Sequence, residues 1–164
     1  MLCFSTADGL RMTTSYIYQY DSEMLSNNVM KYFGFLIEKY GFVKLPEYQY
    51  VREVHNDFVG NEIIIKLNYE GSLLLEILKP KFDIREILNK QKRTVDYDYY
   101  SFDRYDLKNL DLNREIYDAV SNKNYPDKDL WYYSKLLKEN PEILMGDLTK
   151  LKWKYRFLKR LKLK

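Results

Sequence analysis

The chain has 164 residues, of which 46% are apolar and 31% charged, and it contains 17 tyrosines, one cysteine and one histidine. That length and apolar share suit one folded domain with a real core and exclude a disordered chain. The lone Cys3 rules out an internal disulfide, and with His55 as the only histidine, zinc sites built from Cys and His are ruled out too.

No apolar run approaches the roughly 20 residues that a transmembrane helix needs. The stretch from Met1 to Met12 lacks a basic segment followed by a long apolar one, so no secretory signal is read there, and a cytoplasmic location is expected. Residues 1–11 differ in character from the rest of the chain. They read as a poorly ordered leader ahead of Met12, an alternative start, and residues 12–164 read as one α+β domain. The net charge of +3 is unevenly placed. Residues 95–147 carry 7 basic and 12 acidic side chains, whereas residues 148–164 carry 8 basic and none acidic.

The first element runs from about Ser22 to Tyr40. Leu25, Val29, Phe33, Leu36, Ile37 and Tyr40 fall on one helical stripe, Asp21 or Ser22 can cap its start, and Gly41 stands where a helix C′ glycine belongs. Three strands are expected next, at Glu47–Val54, Glu62–Tyr69 and Leu73–Leu78. The turns between them are expected at Asn56–Asn61 and at Tyr69–Ser72, both rich in turn-forming residues. Connections this short make the strands antiparallel neighbours. The preceding helix should cover one face, since a three-stranded meander alone is barely stable in water.

Pro80 stops the third strand. Asp83 with Glu86 reads as a capping box ahead of a short helix, Ile84–Lys90. The run from Val95 to Tyr105 fits either an alternating strand or a tyrosine-rich loop. Helices are expected at about 112–121, at 127–139 and over part of 142–162. The tail from Lys150 to Arg156 alternates with period two, as a strand would, while Leu148, Leu151, Tyr155 and Leu158 fit a helix. A basic C-terminal helix is expected, because Leu and Lys are good helix formers. The fold class that results is α+β, with an N-terminal helix packed on a three- to four-stranded antiparallel meander and a helical C-terminal half.

No constellation of catalytic residues emerges. His55 follows the first expected strand and precedes the first turn, with Asp57 near in sequence but no serine or cysteine obviously placed, and it reads as a solvated turn histidine. The glycines show no phosphate-cradling spacing, so no cofactor is expected, and no metal site is read, since no calcium-loop pattern occurs, although carboxylates leave calcium or magnesium open. Two surface features stand out. In the acidic tyrosine stretch, Asp96, Tyr97, Asp98, Tyr99, Tyr100, Phe102, Asp103 and Tyr105 suit a protein interface, since hot spots favour tyrosine and carboxylates speed encounter with a basic partner. Codon bias and core-edge packing account for the same residues. In the tail, Lys150, Lys152, Trp153, Lys154, Arg156, Lys159 and Arg160 suit phosphate contact with base stacking, or docking on an anionic membrane surface. A terminal helix packed on the domain accounts for those as well.

Three runs also carry a resemblance. They are Phe33-Gly-Phe-Leu-Ile-Glu-Lys-Tyr-Gly-Phe42, Glu62-Ile-Ile-Ile-Lys-Leu-Asn-Tyr-Glu-Gly-Ser-Leu-Leu-Leu-Glu-Ile77 and Leu136-Leu-Lys-Glu-Asn-Pro-Glu-Ile-Leu-Met-Gly-Asp147. Together with Tyr50-Val-Arg they resemble a group of small uncharacterised bacterial proteins of the immunity type, which are cytoplasmic, α+β and without an active site. The resemblance implies a non-enzymatic module that neutralises a cognate toxin by binding it, and it carries no functional residue over to a position here. The basic tail and the tyrosine stretch lie outside it. The alternative is a nucleic-acid-binding accessory or phage-defence protein that uses the tail.

Overall fold

The computed structural model describes residues 25–50, 53–70, 72–107, 110 and 127–153. The expected leader at 1–11, the start of the first helix and the expected helix at 112–121 lie outside the described residues. Helix α1 covers 25–40. Its stripe of Leu25, Val29, Phe33 and Leu36 is fully buried, while Ile37, predicted on that stripe, faces outward. Gly41 closes the helix in the left-handed region at φ +70°, its N–H donating to the Ile37 carbonyl.

Strands β1 (Val43–Lys44), β2 (Tyr48–Tyr50), β3 (Glu53–Val59), β4 (Ile64–Tyr69), β5 (Leu73–Pro80), β6 (Phe102–Asp106) and β7 (Lys152–Trp153) build one sheet. Every pairing is antiparallel, in the order β1-β3-β4-β5-β6-β7, with β2 also on β3. β1 and β2 share one edge of β3. The registers Lys44↔Phe58 and Tyr48↔His55 leave residues 45–47 opposite 56 and 57. The extra residue is a bulge, placed where Pro46 has no N–H to give to the ladder.

The sheet is therefore wider than the three to four strands expected, and its first hairpin is shifted. Residues 56–59, read as a turn, are the second half of β3, and the true turn spans Gly60 to Ile63, with Gly60 N–H donating to the Ile63 carbonyl. Asn and Asp favour turns by bonding their own backbone. Here the Asp57 carboxylate is taken by Thr94, and Phe58 and Val59 are almost wholly buried, so pairing on both edges wins.

Helix α2 (Arg85–Lys90) begins one residue later than expected. Asp83 clamps the Arg85 backbone and guanidinium instead of forming a capping box. Residues 94–101 contain two short 3-10 turns, Thr94–Asp96 and Tyr99–Ser101, and run as a strap into β6. The tyrosine stretch is thus half loop and half strand. Helix α3 (Asp127–Glu139) falls where predicted, followed by α4 (Pro141–Leu144). Of the helix expected over part of 142–162, the described residues hold only the short one ending at Leu144, and Lys152–Trp153 pair with β6, so the period-two reading holds there. Pairing with an open sheet edge outweighs the helix propensity of Leu and Lys.

The sheet has a core on each face. The larger lies under α1, α3 and α4 and includes Phe33, Phe58, Ile65, Leu67, Leu75, Ile77, Leu130 and Leu137. Ser134 Oγ donates to the Tyr32 carbonyl at 2.8 Å and ties α3 to α1. The smaller joins Val59, Ile64, Leu78 and Phe102 to Ile87 of α2, with Phe82 and Tyr97 at its margin.

This packing has two measurable consequences. A Cβ at Gly60 would lie 2.7 Å from the ring of Phe42, which is itself buried. Gly60→Ala is expected to lose about 1–3 kcal/mol, read as a lower urea midpoint with an unchanged slope. Burial of Tyr133 in α3, with Asp129 and Asp106 adding, pushes its hydroxyl up to about 12. The unfolded phenol ionises near 10, so the unfolded state loses its proton first and stability falls as pH rises from there. In alkaline unfolding curves Tyr133→Phe should lose less stability than the parent above that point.

Candidate functional site

On the second face of the sheet the polar positions of four strands line up. Asp57, Lys66, Glu76 and Asp106 stand directly opposite one another across β3, β4, β5 and β6. One row along lie His55, Asn68 and Leu74. Such positions commonly face water in an antiparallel sheet. Here His55, Asp57, Lys66, Glu76 and Arg104 are all less than 9% exposed.

The strap over 92–101 does much of the covering. Thr94 donates both its backbone N–H (3.1 Å) and its hydroxyl (2.6 Å) to Asp57 Oδ2. The Arg93 guanidinium lies 4.3 Å from the Tyr48 ring centroid, and Tyr48 stacks on His55 at 5.6 Å. The Arg104 guanidinium lies 4.0 Å from the Tyr99 ring, and its Nη1 donates to Glu76 Oε2 at 2.9 Å. Two arginine–tyrosine stacks thus pin a charged layer to the segment that hides it.

Burial decides the proton affinities in this layer. Desolvation holds the Lys66 ammonium below its ordinary value and Arg104 adds to this, against the pull of Asp57, Glu76 and Glu53. Desolvation also lowers His55, helped by Lys66 and opposed by Glu53 and Asp57. His55 is therefore neutral at pH 7. Its Nε2 donates to Glu53 Oε2 at 2.9 Å, which leaves Nδ1 as a buried acceptor without a partner. Asp57 Oδ1, Asn68 Oδ1 and Arg104 Nε are also buried without partners. Each such atom costs about 1–3 kcal/mol. The reading of His55 as a solvated turn residue is thereby corrected: it is a buried strand residue, because the true turn begins at Gly60.

The predicted interface residues separate. Phe102 is 3% exposed and belongs to the smaller core. Tyr97 stacks on Phe82 at 4.7 Å and meets Phe102 edge-on. Tyr105 packs against the larger core on the opposite sheet face. Asp103 pairs with Lys81 at 3.3 Å. Asp96 accepts from the Arg93 N–H and Asp98 from the Tyr100 N–H, so both carboxylates shape the strap. Tyr99 and Tyr100 remain at the surface, 43% and 65% exposed. The register of β2 adds Tyr50, 60% exposed, to the same face as His55. Sequence reasoning missed Tyr48, Tyr50, Arg93 and the whole buried layer. The spacing of Glu53, His55 and Asp57 was the available signal, and it was masked by ending the expected strand at Val54 and starting the turn at Asn56, inside β3.

The predicted basic tail gives less. Lys150 pairs with Glu142, and Lys152 and Trp153 are the backbone of β7. Lys154, Arg156, Lys159 and Arg160 lie outside the described residues. Among the described residues no group of three or more His, Cys, Asp or Glu could hold a metal ion, and no helix is long and apolar enough to cross a membrane. No protein-family model matches the chain, and neither a curated protein nor a solved structure matches it.

The Arg104–Glu76 pair yields a direct test of the layer. Both side chains are 10% exposed. Arg104→Met removes the guanidinium that bonds the buried Glu76 carboxylate and should cost about 3–5 kcal/mol. Adding Glu76→Leu removes the carboxylate as well, so the double variant should regain part of that loss in chemical denaturation.

Proposed function

We propose that this chain is a non-enzymatic, bacterial, cytoplasmic protein-binding module of the immunity type, which neutralises a toxin domain by binding it through the tyrosine face of the sheet. The observation that carries the reading is the adjacent pair of exposed rings on the strap, Tyr99 and Tyr100, with Tyr50 exposed separately on the edge strand β2. Tyr50, Tyr99 and Tyr100 are 60%, 43% and 65% exposed. Tyr99 and Tyr100 meet edge to face at 5.8 Å, and Tyr50 stacks on Tyr48 at 6.4 Å.

Tyrosine suits this task because it offers a large contact area while losing few rotamers, and hot spots are enriched in Tyr and Arg. The rings here are held before any partner arrives. Arg104 braces Tyr99, and the Asp98 carboxylate fixes the Tyr100 backbone. Preorganisation of this kind lowers the ordering cost of association. The exposed Asp96 and Asp98 on the same strap favour a basic partner surface.

The test is binding to the toxin-type domains encoded beside this gene, measured by calorimetry with the wild type and with Tyr99→Ala/Tyr100→Ala. The wild type should bind one of them. The double variant should lose about 2 kcal/mol or more, roughly thirtyfold in affinity, with an unchanged melting temperature. No binding to any neighbour, or equal binding by the double variant, overturns the reading.

A further inference from the structure

We propose that His55 is a proton-sensitive pin for the bulged edge strand, and that protonating it frees β2 from β3. β2 is three residues long, its pairing to β3 covers only Tyr48, Gln49 and Tyr50, and the bulge at residues 45–47 separates it from β1. An edge strand this short draws little from its own ladder. Its inward anchor is the Tyr48 ring, stacked on His55 at 5.6 Å with the Arg93 guanidinium 4.3 Å from the same ring.

The two nitrogens of His55 are in unequal positions. Nε2 is engaged by Glu53 in either protonation state. Nδ1 is sealed from water and faces no acceptor. A proton added there creates a buried N–H donor with nothing to accept it, and a second cation against the Tyr48 ring already met by Arg93. The charged groups around it are divided. Glu53 and Asp57 on β3 favour the added charge, and Lys66 on β4 opposes it. Glu76 on β5 and Arg104 on β6, joined in their own ion pair, stand further across the face. The orphan donor breaks this balance, because an unpaired buried N–H keeps its full desolvation penalty. Water reaches Nδ1 once Tyr48 lifts, and Tyr48 lifts with β2.

The direction follows from the proton balance. An opened imidazole takes up its proton near the ordinary 6.5, while the sealed one resists it. The closed state therefore keeps its full advantage above that pH and loses it as pH falls. The device works without any partner and does not depend on the binding role proposed above. Its effect would still reach that surface, since β2 carries Tyr50.

The single histidine makes the experiment clean, because one Cε1–H resonance reports His55 alone. That resonance should titrate below 6.5. Across the same range the amides of residues 48–50 should lose protection roughly tenfold or more beyond the intrinsic change in exchange rate, while those of β4 and β5 hold. His55→Phe keeps a ring beneath Tyr48 and should abolish the pH dependence at 48–50. Unchanged protection as His55 titrates overturns the proposal, and so does an equal loss in His55→Phe. If His55→Phe does not fold, Glu53→Gln decides. Removing that carboxylate should move the histidine titration and the β2 opening to lower pH together, and an opening that stays in place overturns the proposal.

Discussion

Asp57 holds the second face of this sheet in its observed form. Its carboxylate is buried in β3 and accepts two hydrogen bonds from Thr94, 37 positions further along the chain. That contact fixes where the strap crosses the sheet. The crossing in turn brings Arg93 to Tyr48 and Tyr99 to Arg104, and it shuts Lys66 and Glu76 away from water. One hydrogen-bonded carboxylate thus determines both which charges are buried and which tyrosines are presented.

The arrangement is costly, and the cost is informative. Charges taken out of water are seldom the most stable solution, since apolar residues of the same volume often do as well or better. In this sheet the buried groups support the surface above them. Arg104 is paired below with Glu76 and stacked above under Tyr99, and His55 is bonded to Glu53 and stacked under Tyr48. The exposed rings therefore rest on residues whose positions are set by ionic and hydrogen-bonding geometry. Such contacts are directional in a way that apolar packing is not. The proposed binding surface and the proposed proton-sensitive edge both rest on that layer.

The two faces are held by different forces. Under α1, α3 and α4 the contacts are apolar and non-directional, and the core there would tolerate volume-conserving exchanges. On the opposite face a small apolar cluster around Ile87 and Phe102 adjoins the charged rows, so single changes such as Arg104→Met act through a broken buried ion pair rather than lost volume.

The sequence by itself determined the elements whose signals are local. The stripe of α1 and its closing Gly41, the strands β4 and β5 with the turn between them, and the bounds of α3 follow from periodicity and from Gly and Pro punctuation. Tyr99 and Tyr100, singled out by the acidic, tyrosine-rich composition of their stretch, are exposed. What only the tertiary structure decided depends on pairing across distance. Asn56 and Asp57 have turn chemistry, and they lie in a strand because Thr94 and two neighbouring strands claim them. Lys152 and Trp153 have helix-compatible surroundings, and they lie in a strand because β6 offers a free edge. Lys66, Glu76 and Arg104 occur as isolated polar residues along the chain, with nothing local to mark them as a group with His55 and Asp57. The sheet register sets them on one face, and the strap that buries them is positioned by a hydrogen bond between residues far apart in sequence.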